Sequence, residues 1–444
     1  MSSKTTSEMM TIINIDTEVA LKDALRDIEH GAQNAVSGDG GPEDAVRAVL
    51  REVASRGDEA VAEFTERFDK VALAPSDFEI STEAIDEAAA SIDSELRGSL
   101  ERAHANILAF HEKNLRQSWE ETSDDGATLG QRLTGIDSAG LYVPGGTAFY
   151  PSSVLMNIVP ARVAGVKEIV MVSPPSYEGT IHPLVLCAAK IAGASRVFRL
   201  GGAQAVAALA YGTDTVPAVS KIAGPGNIFV TLAKRFVSGV CDIDKEAGPS
   251  EVVVVADATA NPEWAAIELL TQAEHDEDAR AILIAVGQNV CDAVLAAAEK
   301  QLTDLPRAAI VRKAFEDKGA AYVARSIDDA AALADAIAPE HMSIQTENPR
   351  AFLDRVPNVG CAVLGGGTPV AVGDYYAGPN HILPTERRAR FASPLTADDF
   401  RKVTSVIEYS PERLRKDATD ITRLARAEEL EAHARAVEYR LGSE

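Results

Sequence analysis

The chain has 444 residues, 46% hydrophobic but only 5% aromatic, so its core is built largely from Ala, Val, Ile and Leu and is large enough to need no disulfide staples. Its 67 Asp and Glu against 43 Lys and Arg leave a net charge of −24, spread along the chain, which argues against a nucleic-acid surface. Four scattered cysteines (Cys187, Cys241, Cys291, Cys361), no apolar run of ~18–20 residues and a polar start point to a reduced, cytoplasmic protein.

Residues 1–40 read as an N-terminal helical arm ending in the loop Ser37-Gly38-Asp39-Gly40-Gly41-Pro42. From Glu43 to about Gln117 the pattern is helical, with Val46, Val49, Leu50 and Val53 spaced for one buried face, and a polar stretch from Glu120 to Gly126 closes it. Between Ile136 and Val240 short apolar strands alternate with helices four times, the signature of a parallel sheet covered on both faces. Ligands in such sheets sit beyond the carboxyl ends of the strands, which places Tyr142, Gly145, Gly146, Gly201, Gly202, Gln204, Gly224, Gly226 and Asn227 on one rim. A second α/β region starts at Glu251-Val252-Val253-Val254-Val255 and runs to a Gly-rich, loop-like stretch ending near Pro384. From Thr396 the chain is helical and charged, a tail.

There is no GxGxxG, but Gly201-Gly202 and Gly224-Pro225-Gly226 open helices and can bring backbone N–H groups to a phosphate. Singly such turns are tight connections, and Gln204 and Asn227 are helix caps; sharing one rim, they suggest a dinucleotide site. Asn261 and Pro262 start a helix whose Trp264, Ile267, Leu270 and Thr271 mark an expected buried stripe. Gln272 and His275, three apart, share a face at its end. Alone the pair is a solvated Gln and a terminal His favoured by the helix dipole. Glu340-His341 follows Ala338-Pro339, just past a helix that proline ends; Asp374 and His381 flank a Gly-rich stretch; His433 lies late in the tail. Gln272, His275, Asp374 and His433 would supply two imidazoles and two oxygens, compatible with zinc, manganese or iron.

These residues stand in longer segments: GLYVPGGTAFYPSSVLMN, RLGGAQAVAALAYGT, IAGPGNIFVTLAKRFV, AGPSEVVVVAD, LLTQAEHDEDA, APEH, VGDYYAGPNHILPT and LEAHARAV, with weaker similarity upstream in GDEAVAEFTERFD. Together they resemble the histidinol dehydrogenase family from about residue 135 to the end. The resemblance implies one zinc ion per subunit held by Gln272, His275, Asp374 and His433, and an acid–base pair of Glu340 and His341. It implies substrate contacts at Ser250, His381 and Glu428, and NAD contacts at Tyr142, Gln204 and Asn227. The reaction implied is oxidation of L-histidinol through L-histidinal to L-histidine, with two NAD and one water. His341, neutral near pH 7, would take the hydroxyl proton, and Glu340 would activate the water.

The implied architecture is α/β, two Rossmann-like parallel-sheet domains of aldehyde-dehydrogenase type, in a homodimer that exchanges its tails. The expected division is an arm over 1–40, a first domain of 41–135 with 251–395, an NAD-binding domain over 136–250 and a swapped tail over 396–444. The rival readings are a paralogous zinc- and NAD-dependent dehydrogenase of another small primary alcohol and a zinc hydrolase using Glu340. The acidic surface suits a salt-rich cytoplasm, where self-repulsion is screened. The melting temperature should therefore rise between low and molar KCl; a flat or falling profile contradicts that adaptation.

Overall fold

The computed structural model describes residues 3–6, 9–31, 41–145, 149–246 and 248–442, so Ser37–Gly40 of the expected loop and Gly146 of the expected rim lie outside the described residues. Two α/β layers carry the fold. The first is a seven-stranded sheet in the order Ser3–Thr6, Thr11–Asn14, Ala320–Ala324, Arg280–Val286, Glu251–Ala256, His341–Gln345, Cys361–Leu364. Only its outermost pair, Ser3–Thr6 with Thr11–Asn14, is antiparallel. All six residues of the central strand Glu251–Ala256 are buried. Val252 and Val254 join the cluster on one face and Val253 and Val255 the cluster on the other. The β-branched run is thus what a strand covered on both sides requires, each valine contributing ~1.5–3 kcal/mol by burial.

The second layer is a five-stranded parallel sheet, Arg196–Phe198, Glu168–Val172, Ser138–Tyr142, Lys221–Ala223, Asp242–Ile243. The helices predicted between these strands all form: Pro151–Val163, Pro183–Ala192, Gly202–Tyr211 and Ile228–Val237. Ala203 to Ala210 are buried all round, so that helix needs an outer cover as well as the sheet. Helices Pro42–Arg56 and Asp58–Asp69 provide it, while Thr82–Ser91 and Ser94–Lys113 cover the helices on the opposite face.

Three expectations change here. The helices over 42–113 pack on the five-stranded sheet, not with 251–395, because the all-apolar helices of that sheet are what they bury. The N-terminal arm is not purely helical: its two strands extend the seven-stranded sheet before helix Glu18–Gly31 packs on helix Ile327–Ile337. The tail opens with strand Arg401–Tyr409, which pairs with Ala127–Gly135 and, beyond it, Trp119–Thr122 in a three-stranded antiparallel sheet; the polar 120–126 stretch is the hairpin of that sheet. Asp125 at its tip accepts hydrogen bonds from Arg413 and Lys416, tying tail helix Pro411–Ala427 to the hairpin. No helix among the described residues is long and apolar enough to cross a membrane.

One buried ion pair shapes the five-stranded sheet's rim. Gly224 turns the chain with φ +112°, and a Cβ there would lie 2.2 Å from the carbonyl oxygen of Tyr142, so only glycine fits. Lys234 donates to the Gly224 carbonyl at 2.8 Å and the Asp244 carboxylate accepts from the Gly224 N–H at 3.0 Å. Lys234 and Asp244 also pair with each other, both side chains almost fully buried. Lys234→Met leaves Asp244 charged in a dry interior and should cost ~3–5 kcal/mol in chemical unfolding. A loss below ~1 kcal/mol would show that the pair does not hold the turn.

Candidate active site

The carboxyl ends of the five-stranded sheet carry the expected rim. Tyr142 ends its strand fully buried, and its hydroxyl accepts the Gly202 N–H at 3.1 Å, at the mouth of helix Gly202–Tyr211. Burial raises the Tyr142 phenol well above its ordinary value, so it stays protonated. Gln204, two residues into that helix, is buried and donates Nε2 to Asp69 at 3.1 Å. Burial pushes the Asp69 carboxyl up to about 6, the Gln204 hydrogen bond opposing only part of that rise. Asn227 caps helix Ile228–Val237, its Oδ1 accepting from the N–H groups of Phe229 and Val230.

The catalytic candidates approach from the other sheet, at the amino ends of its strands. Glu340 and His341 open strand His341–Gln345, after helix Ile327–Ile337 is stopped by Ala338 in the left-handed conformation and by Pro339. Both are buried. Glu340 Oε2 accepts the Glu251 N–H at 2.8 Å from the adjoining strand, and His341 Nδ1 faces the same oxygen across 3.8 Å. His341 Nε2 lies 3.2 Å from Asp374 Oδ1. Asp374 sits on a short helix, Val370–Tyr375, where a loop was expected; the Val370 N–H at its start donates to Glu268 Oε2 at 2.9 Å. Glu268 and Gln272 are one turn apart on helix Pro262–Ala273, so Gln272 presents itself on the face toward Asp374, with His275 just beyond the last turn.

Charge in this pocket is set by burial and by neighbours. Burial pushes the Glu340 carboxyl up to about 7, against the pull of His341. Burial alone would lower the His341 imidazole, but the Glu340 charge and the Asp374 hydrogen bond outweigh it and raise the ring above its ordinary value. Against the expectation of a neutral His341 near pH 7, the two neighbouring carboxylates favour the charged ring when no cation shares Asp374. Burial likewise works to raise Asp374, yet the His341 hydrogen bond and the charges of His341, His381 and His275 leave it below its ordinary value. Desolvation lowers His275, so its ring is neutral with a free lone pair. Asp374, ionised, and buried Gln272 thus complete a set of one nitrogen and two oxygen donors, which suits a divalent cation but falls short of a closed shell.

The segment after Asp374 joins the two layers. His381 Nδ1 donates to the Asp374 carbonyl at 2.8 Å, since that oxygen can only accept; its Nε2 then takes the Ser153 hydroxyl at 3.2 Å on helix Pro151–Val163. Asn380 donates to the Met156 carbonyl at 2.7 Å on the same helix. Ser250 precedes strand Glu251–Ala256 and its carbonyl accepts the Arg280 N–H at 2.9 Å.

Two predicted site residues stand apart. Glu428 and His433 are exposed at the junction of helices Pro411–Ala427 and Glu431–Leu441, which pack mainly on each other. Accordingly, no group of three or more His, Cys, Asp and Glu side chains forms a metal site among the described residues. The expected stripe Trp264, Ile267, Leu270 and Thr271 is also corrected. Trp264 is 51% and Ile267 39% exposed, while Ala265, Ala266, Leu269 and Ala273 pack with Leu270. Sequence reasoning missed Glu251, Glu268, Asp69 and Ser153; a Glu opening the run Val252–Val255 was the one available signal.

The histidinol dehydrogenase family model matches residues 33–441. The chain belongs to the histidinol dehydrogenase family. It is 45% identical to the histidinol dehydrogenase of Halalkalibacterium halodurans over 98% of this chain and 100% of that one. It is 50% identical to that of Rhodopseudomonas palustris over 90% and 92%. The crystal structure of histidinol dehydrogenase from Elizabethkingia anophelis superposes with a TM-score of 0.91 at 33% identity, over 99% of both chains.

None of the four thiols suits a nucleophile. Burial raises Cys187, and raises Cys241, Cys291 and Cys361 to about 11, the reverse of the depressed values reactive cysteines need. A protein with alanine at all four positions should retain substantial activity. A folded but inactive product would return a cysteine to the chemistry.

Proposed function

We propose that this cleft removes two hydrides in succession from one carbon, taking L-histidinol through L-histidinal to L-histidine. The activity is that of an NAD-dependent histidinol dehydrogenase, an oxidoreductase of histidine biosynthesis. The observation that carries the reading is the buried Glu340–His341 pair, joined to Asp374 and through His381 to helix Pro151–Val163 of the sheet that carries the Tyr142, Gln204 and Asn227 rim. NAD held on that rim by Tyr142, Gln204 and Asn227 would supply the hydride acceptor for each oxidation. Zinc held by Gln272, His275, Asp374 and the tail's His433 would supply orientation and polarisation of the alcohol.

The residues of the chain move the protons. His341, 3.2 Å from Asp374, serves as the base for the alcohol hydrogen, and a cation on Asp374 would weaken that carboxylate's hold on the ring proton. Glu340, whose carboxyl burial brings to about 7, takes a proton from the water that adds to the aldehyde. Ser250, His381 and Glu428 contact the substrate, His381 with its tautomer set by the Asp374 carbonyl.

A homodimer with exchanged tails accounts for the stranded His433 and Glu428. The tail exposes Ile407, Leu424, Leu430 and Tyr439, and the site helices expose Trp264, Ile267, Val372, Tyr375 and Tyr376. Apolar surface of this kind on both elements is suited to mutual burial.

With excess NAD and limiting L-histidinol the protein should return two NADH per alcohol; a yield of one would mean that the aldehyde escapes and would remove Glu340 from its role. In single-turnover kinetics His341→Asn should slow the alcohol step by ~10²–10⁴-fold, whereas Glu340→Gln should spare it and slow the second oxidation. Equal losses in both steps for both variants would end this division of labour.

A further inference from the structure

We propose that Asp69 is a positioning residue of the nucleotide site, turning the amide of Gln204 so that its carbonyl oxygen meets the dinucleotide as an acceptor. The inference rests on the rim reading above. Asp69 is the last residue of helix Asp58–Asp69, where Lys70 adopts the left-handed conformation and ends the helix against Gly202–Tyr211. Its Oδ2 accepts from Gln204 Nε2 at 3.1 Å. A carboxylate only accepts, so the amide must turn its NH2 toward Asp69; the opposite rotamer would set two acceptors against each other.

The consequence falls on the other end of the amide. Gln204 is 0% exposed, and its Oε1 has no hydrogen-bond partner. A Cβ placed on Gly202 would lie 2.6 Å from that oxygen, and one on Gly201 would lie 3.3 Å from Asp69 Oδ1. Both acceptors therefore crowd the glycine turn that opens the helix, where a Cβ would obstruct the approach. A buried acceptor without a donor is costly. The donor it awaits is a hydroxyl or NH2 group, which a dinucleotide carries on its riboses, its adenine and its carboxamide.

Calorimetric NAD titration of the full-length protein, without histidinol, separates this role from a structural one. Asp69→Ala and Gln204→Ala should each weaken NAD binding by about 10-fold, with the isosteric Asp69→Asn, which keeps one accepting oxygen, losing about 3-fold. The double variant should bind within about twofold of Gln204→Ala alone, because Asp69 acts only through that amide. In the Asp69 variants kcat at saturating NAD and KM for histidinol should hold within about twofold while KM for NAD rises. Asp69→Asn carries the test if Asp69→Ala fails to fold. Wild-type NAD affinity in the Asp69 variants, or losses that multiply in the double variant, would overturn this inference and leave the rim reading intact. Wild-type affinity in Gln204→Ala would overturn both.

Discussion

A buried imidazole between two carboxylates, Glu340 on one side and Asp374 on the other, is the constraint around which the cleft is built. Glu251 and Glu268 lie close by, also buried; burial pushes both carboxyls above their ordinary value, and Arg280 pairs with Glu251. Removing charge from water is expensive unless it is paired. The fold meets part of that cost with backbone N–H groups, the Glu251 N–H on Glu340 and the Val370 N–H on Glu268. Asp374 keeps its charge beside the open donors Gln272 and His275, a set of the kind a divalent cation takes. Glu340, His341 and Asp374 are therefore one electrostatic unit.

The strand directions differ between the two halves of the candidate site. The rim of Tyr142, Gln204 and Asn227 stands at the carboxyl ends of the five-stranded sheet, where parallel sheets generally hold their ligands. The catalytic pair stands at the amino ends of the seven-stranded sheet, where Glu251 and Glu340–His341 begin their strands. Between them runs the segment from Asp374 to Glu386, hydrogen-bonded to helix Pro151–Val163 through His381 and Asn380 and to Glu251 through the Glu386 N–H. Movement of either sheet would break these bonds. The position of His381 relative to both sheets is in this way fixed by a loop rather than by either sheet alone.

Much of this was legible from residue patterns. The four alternations between Ile136 and Val240 formed where expected, because apolar strands buried on both faces leave few alternatives. The rim followed from strand polarity, and Asn261 and Pro262 start their helix as their side chains require. The catalytic side was not reachable by that rule, since its residues lie at the opposite strand ends. The exposed Trp264 and Ile267 misled for a related reason: a helix at a prospective interface carries apolar residues on two faces. Helices over 42–113 were assigned to the wrong sheet because periodicity shows that a face is buried, not against what. The strands before Asn14 are too short to announce themselves. The raised proton affinity of His341 owes most to its neighbour Glu340 and then to Asp374, which is distant in sequence and which no local pattern points to.

The tail carries the remaining demand. Anchored by its strand and by Asp125, it holds Glu428 and His433 in solvent, away from Gln272, His275 and Asp374. Mixing inactive His341→Asn and His433→Asn homodimers, under conditions that exchange subunits, tests this most directly. If the partner's tail completes each site, a mixed dimer has one site with both lesions and one with neither, and activity returns on mixing. If the tail serves its own body, every site keeps one lesion, no activity is regained, and the shared-site account is wrong.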